Sequence, residues 1–133
     1  MSAEQFNEAK IKLPDGREAY DCVKLAQIET EGVSLGKGRN VPERCHIIVR
    51  TINTDYHLDI DGSAVKVMDE RRDGRPQRFP KAVACNIHGS TWGGSMLKMD
   101  YIGVGMHLEF HTDGHPTLTT SEIQSLTIRP VSV

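Results

Sequence analysis

Residues 104–111, VGMHLEFH, constrain the fold more than any other part of the chain. Val104, Met106, Leu108 and Phe110 fall on one face of an extended backbone, and Gly105, His107, Glu109 and His111 on the other. Side chains alternate across a β-sheet with a period of two, so this order predicts a strand with one face buried and one wet. Residues 56–61 repeat the pattern, with Tyr56, Leu58 and Ile60 opposing His57, Asp59 and Asp61. Residues 45–52 (CHIIVRTI) are apolar on both faces at their centre, which suits a strand inside a sheet. Shorter versions of the signal occur at residues 65–68, 82–87, 97–102 and 126–131.

Turn chemistry separates these runs. Pro14-Asp15-Gly16 follows the alternating run 9–13 and predicts a hairpin, and Asn53-Thr54-Asp55 joins two strands closely enough for another. Asp61-Gly62 ends one strand before residues 65–68, and Thr112-Asp113-Gly114 with Pro116 returns the chain toward residues 117–120. Such spacing predicts a mostly β fold: a compact antiparallel β-barrel or sandwich of about six to eight strands, with at most one short helix. A chain of 133 residues makes a single domain, 1–133. It buries roughly 65–70% of its unfolded surface, enough to fold without a disulfide or metal.

Residues 18–29 (EAYDCVKLAQIE) admit two readings. Ala19, Cys22, Val23 and Ala26 form a helical stripe, yet a bulged strand also accounts for the slip in alternation between Cys22 and Val23. The Pro-Asp-Gly turn just before favours the strand. Ser121 is placed to cap a short helical turn over residues 122–125. Residues 30–43, glycine-rich and basic at their centre, and residues 69–81, dense in charge and proline, read as long loops, where binding sites concentrate.

Composition narrows the function classes. The net charge of −2, with 38% hydrophobic and 26% charged residues, belongs to neither a disordered nor a fibrous chain. A slightly acidic balance argues against nucleic acid as partner. No apolar run approaches the ~18 residues of a membrane-spanning helix. The opening residues MSAEQFNEAK lack the basic-then-apolar order of a secretory signal, so a cytoplasmic location is expected. Cys22, Cys45 and Cys85, three in number and far apart, read as reduced thiols packed as small hydrophobes.

No organised catalytic set emerges. His107, Glu109 and His111 are the residue types of an open metal site, but same-face side chains on one strand stand ~6.5–7 Å apart, too far for three to hold one ion. A ligand from elsewhere, such as His57 or His88, would be required; otherwise this is a polar strand face. Cys85 and His88 have one C-x-x-H spacing without the second ligand pair of a zinc knot. Ser90 and Ser95 lack the G-x-S-x-G context of a nucleophile. No metal set and no cofactor motif is therefore assigned.

The candidate ligand-binding residues lie in the loops. Gly32 to Arg39 (GVSLGKGR) offers Lys37 and Arg39 on a glycine-rich backbone, although one residue is missing from the phosphate-loop spacing. Arg71, Arg72 and Arg75 lead the most basic stretch, and guanidinium forks suit carboxylates and phosphates. Trp92 stands in a glycine- and serine-rich loop, 89–95, as an anchor for a partner or a cover for the fold's end.

ERRDGRPQRFP followed by DYIGVGMHLEF resembles PilZ domains, cyclic-di-GMP-binding β-barrels with an RxxxR element and then a DxSxxG element. Arg71 and Arg75 match the first, and Asp100 and Gly105 the ends of the second, while Ile102 stands where the serine belongs. The resemblance covers about a third of the chain and implies a nucleotide-binding barrel. The leading expectation is a non-catalytic binding or protein-interaction module, self-association included. Its partner would be an unidentified protein or a small anionic ligand. An anion- or nucleotide-binding barrel using the basic loops is one alternative, and a metal-dependent enzyme using the His/Glu/His face is the other.

Overall fold

Alternating stretches become strands because each buries one face against the others. A computed structural model describes residues 10–12, 14, 16, 18–20, 22–94 and 96–131. In chain order the elements are β1 (Lys10–Lys12), β2 (Glu18–Tyr20), α1 (Cys22–Glu31), β3 (Val33–Ser34) and β4 (Arg44–Arg50). Then come β5 (Thr54–Asp61), β6 (Ala64–Arg71), β7 (Val83–Thr91) and β8 (Leu97–Met99). Last are β9 (Tyr101–Ile102), β10 (His107–Thr112), β11 (Leu118–Glu122) and β12 (Ser125–Pro130). The mostly β, antiparallel class expected from the sequence is what forms, with one short helix among the described residues.

One eight-stranded sheet dominates, ordered β11-β10-β7-β6-β5-β4-β12 with β8 added beside β7. β1–β2 and β3–β9 are small separate pairs. The outermost strands, β11 and β12, are successive segments of one stretch joined by Ile123 and Gln124. Ile123 donates its N–H to Met106 O and accepts from Gly105 N, whereas Gln124 N–H donates to Arg50 O. The sheet thus curls until its two ends meet in sequence, but β11 and β12 do not pair, and no closed barrel results. Ile47, Leu58, Val67, Leu108, Phe110 and Ile123 fill the inside of the curl, all fully buried. Burial of such side chains is worth ~1.5–3 kcal/mol each.

Four sequence expectations need correction. Residues 22–31 are helix, not bulged strand, because Leu25 and Ile28, one turn apart, both bury against the core. The stripe residues Cys22, Val23 and Ala26 stay exposed. Glu29 also accepts the Ile128 N–H at 2.6 Å, so the helix satisfies a donor of β12. Second, Val104 is exposed in a turn, and the strand begins at His107, because Gly105 (φ 87°) turns the chain just before it. Third, Ser121 and Glu122 belong to β11, and β12 opens at Ser125, so no helical turn forms there. Fourth, the supposed loops are shorter: Thr30 and Glu31 complete α1, and Asp69, Glu70 and Arg71 complete β6.

The helix stops where sterics demand. Gly32 has φ 123°, and a Cβ there would lie 2.0 Å from Tyr101 Oη, whose hydroxyl donates to Glu31 O at 2.5 Å. Residues 97–102 break into β8 and β9 at Asp100, a non-glycine residue at φ 53°. β8 pairs with β7 and β9 with β3, so the break lets one segment serve two sheets.

Candidate functional site

The hairpin between β7 and β8 is built from its base upward. Thr91 pairs with Leu97, which puts residues 92–94 and 96 at the tip. The Thr91 hydroxyl, almost fully buried, accepts from Gly93 N–H and donates to Gly94 O, both at 3.2 Å. This local network fixes the tip and leaves its apolar side chains outside. Trp92 is 72% exposed, Met96 80% and Met99 75%, with Leu97 and Val104 less so. Five of the eight exposed large hydrophobic side chains among the described residues thus fall within residues 92–104. The Trp92 ring runs past Gly105, where a Cβ would stand 3.3 Å from Trp92 Cζ3.

Beside this surface runs a free strand edge. β8 pairs with β7 on one side and with no described strand on the other. Its three side chains are all exposed. Lys98, the charge that would ordinarily guard an edge, holds Nζ 3.8 Å from the centre of the Tyr101 ring. An unpaired strand bordered by exposed apolar groups is able to accept a further strand through backbone hydrogen bonds.

The residues singled out from the sequence are placed differently from one another. Arg39 is buried, donating to the carbonyls of Val41, Gly62, Pro42 and Glu43. That occupies four of its five N–H donors and makes it a clamp between its loop and the β5–β6 turn. Lys37 is exposed in the same loop. Arg71 forms a bidentate pair with Asp73 and, by hydrogen bonding, holds that carboxyl far below its ordinary range. Arg72 bonds to Asp55 and to the carbonyls of Thr51 and Ile52. Arg75 reaches only to 3.9 Å from Asp73 and is largely exposed. Asp73 therefore gathers Arg71 and Arg75, while Asp100 and Gly105 lie in the segment that follows β8.

The histidine face of β10 lies half-buried on the outside of the curl, and its members have separate partners. His107 Nδ1 is 2.9 Å from Thr120 O, Glu109 accepts from the Thr119 hydroxyl, and His111 Nδ1 is 2.6 Å from His88 Nε2. A second imidazole pair, His46 and His57, meets at 3.0 Å across β4 and β5. No cluster of three metal-ligating side chains occurs among the described residues.

A cavity of about 780 Å3 opens between the loop before β7 and the β10–β11 turn. It is lined by Arg78, Phe79, Lys81, Phe110, His115 and Leu118, among others, and by none of the six residues proposed above as ligand contacts. No family model, curated protein or solved structure matches this chain. No helix among the described residues is long and apolar enough to cross a membrane.

Two features of the candidate surface escape sequence inspection. Leu97 and Met99 alternate with Lys98 as a buried strand would, so nothing marks them as exposed. Trp92 was visible as an anchor, but its companions Met96 and Met99 are brought to it by the hairpin.

Proposed function

We propose that this chain is a non-catalytic protein-interaction module that self-associates through the β7–β8 hairpin. The observation that carries the reading is the coincidence of a free β8 edge with the exposed side chains of Trp92, Met96 and Met99. Scattered exposed hydrophobics need no explanation, whereas a cluster along a strand edge is the usual mark of an interface. A second copy supplies an identical edge, and two antiparallel β8 strands related by a two-fold axis pair with themselves. Ordering of the tip by Thr91 lowers the entropic cost of docking, because the aromatic anchor is held before the partner arrives.

Light scattering across a concentration series tests this. The expected result is a dimer that dissociates on dilution, and a monomer for the Trp92→Ser/Met96→Ser/Met99→Ser variant. A wild-type monomer at every concentration up to the solubility limit rejects the reading.

A further inference from the structure

The cavity beside β7 is a consequence of strand geometry. β6 and β7 pair only where Val65, Lys66 and Val67 meet Cys85, Ala84 and Val83. Beyond Val67 the strands part, and residues 77–79 take the place of the missing ladder. Asp69, 1% exposed, accepts from the Phe79 N–H at 2.7 Å and the Arg78 N–H at 3.1 Å, and its own N–H donates to Phe79 O. The Gln77 side-chain amide donates to Asp69 O. A buried carboxylate thus fixes the backbone from which Arg78 and Phe79 project.

The wall behind them is aromatic. The Phe79 ring lies 5.8 Å from Phe110, which in turn lies 5.9 Å from Tyr56 in an edge-on contact. Leu118 continues this apolar surface across the cavity. At the rim stand Arg78, Lys81 and His115, against the single carboxylate Asp113. Arg71 and Arg72 are neutralised by Asp73 and Asp55, but among the described residues no carboxylate lies within ion-pair distance of Arg78 or Lys81. A volume of about 780 Å3 falls in the range of small-molecule sites.

We infer that this cavity binds a small organic anion, its planar or apolar body against Phe79 and Leu118, with buried Phe110 backing Phe79, and its acidic group on Arg78 and Lys81. A neutral ligand would leave two cations unanswered, and a bare inorganic anion would leave the aromatic wall unused. The site lies at the far end of β7, where Val83 and Ala84 line it, and shares no residue with the exposed 92–99 end of the β7–β8 hairpin.

The test uses the fluorescent aromatic sulfonate 1-anilinonaphthalene-8-sulfonate as probe, with the neutral N-phenyl-1-naphthylamine beside it. The expected result is one saturable site whose Kd for the sulfonate rises roughly tenfold or more in Arg78→Ala/Lys81→Ala. The neutral dye should bind that variant and the wild type alike. The charge-matched control Lys66→Ala/Arg129→Ala, at exposed positions elsewhere, should leave the sulfonate's Kd unchanged. Equal sulfonate affinity in Arg78→Ala/Lys81→Ala overturns the inference. So does loss of binding in the Trp92→Ser/Met96→Ser/Met99→Ser variant, which would put the dye on the hairpin. Displacement by adenosine monophosphate assigns a phosphate head and displacement by indole-3-acetate a carboxylate; displacement by neither counts against the class.

Discussion

Cys45 and Cys85 occupy the inner side of the sheet, and burial pushes both thiols up to about 11. Cys22 is exposed at the start of α1. Native protein at pH 8 should therefore show one fast-reacting thiol toward iodoacetamide, assigned to Cys22 by mass spectrometry, a slower one at half-buried Cys85, and one at Cys45 that reacts only after unfolding. The same shift has a consequence for stability. Above an unfolded thiol pKa of 9.0, the unfolded chain gives up a proton that folded Cys45 keeps until about 11. Stability from Cys45 is thus full below pH 9 and lost as pH rises toward 11, by about 2–3 kcal/mol. Urea midpoints measured from pH 8 to pH 11 should fall more steeply in wild type than in Cys45→Ala. His46 works at the acid end. Burial first, and then the neighbouring His57, lower its pKa from 6.5. Below that value the unfolded chain binds a proton that folded His46 refuses, so stability falls as pH falls. His46→Gln should flatten the midpoint profile from pH 6.5 down to 5, and an unchanged slope would remove His46 from the acid response.

At the scale of elements, β8 is held by a glycine. Gly89 in β7 has φ 143°, and a Cβ there would lie 2.0 Å from Lys98 O, inside the backbone of β8. Gly89→Ala must push the two strands apart, at a cost of about 2 kcal/mol or more. Hydrogen exchange should show the amides of Leu97–Met99 losing protection in this variant while those of β4 and β5 keep theirs. Uniform loss across the sheet would mean that β8 is not a separable unit. The helix is likewise an element chosen by context: its residues carry a strand-like slip, and burial of Leu25 and Ile28 beside β12 decides the matter.

At the scale of the whole molecule, the proposed self-association predicts a link between stability and concentration. If the folded chain dimerises and the unfolded chain does not, Tm rises with protein concentration by mass action. Calorimetry over a hundredfold range of concentration should show that rise in wild type and not in Trp92→Ser/Met96→Ser/Met99→Ser. A Tm independent of concentration in both would agree with a monomer and count against the hairpin as an interface.

What the sequence determined by itself is the strand content and much of the core. A period of two is a local property of the backbone, so Met106, Leu108 and Phe110, or Leu58 and Ile60, reveal their shared faces to anyone counting. Turn residues did the same for the hairpins, since left-handed φ values belong to glycine. Tertiary structure alone decided which charges remain available. Arg39, Arg71 and Arg72 look as free as Arg78 in the sequence, yet partners brought from 2 to 23 residues away occupy them. It also decided that residues 104 and 105 turn before the strand begins, leaving Val104 outside the core that its alternation had promised. The histidine face of that strand, distinctive in the sequence, became a set of separate local contacts, because strand spacing keeps its side chains apart and each finds a nearer neighbour across the sheet.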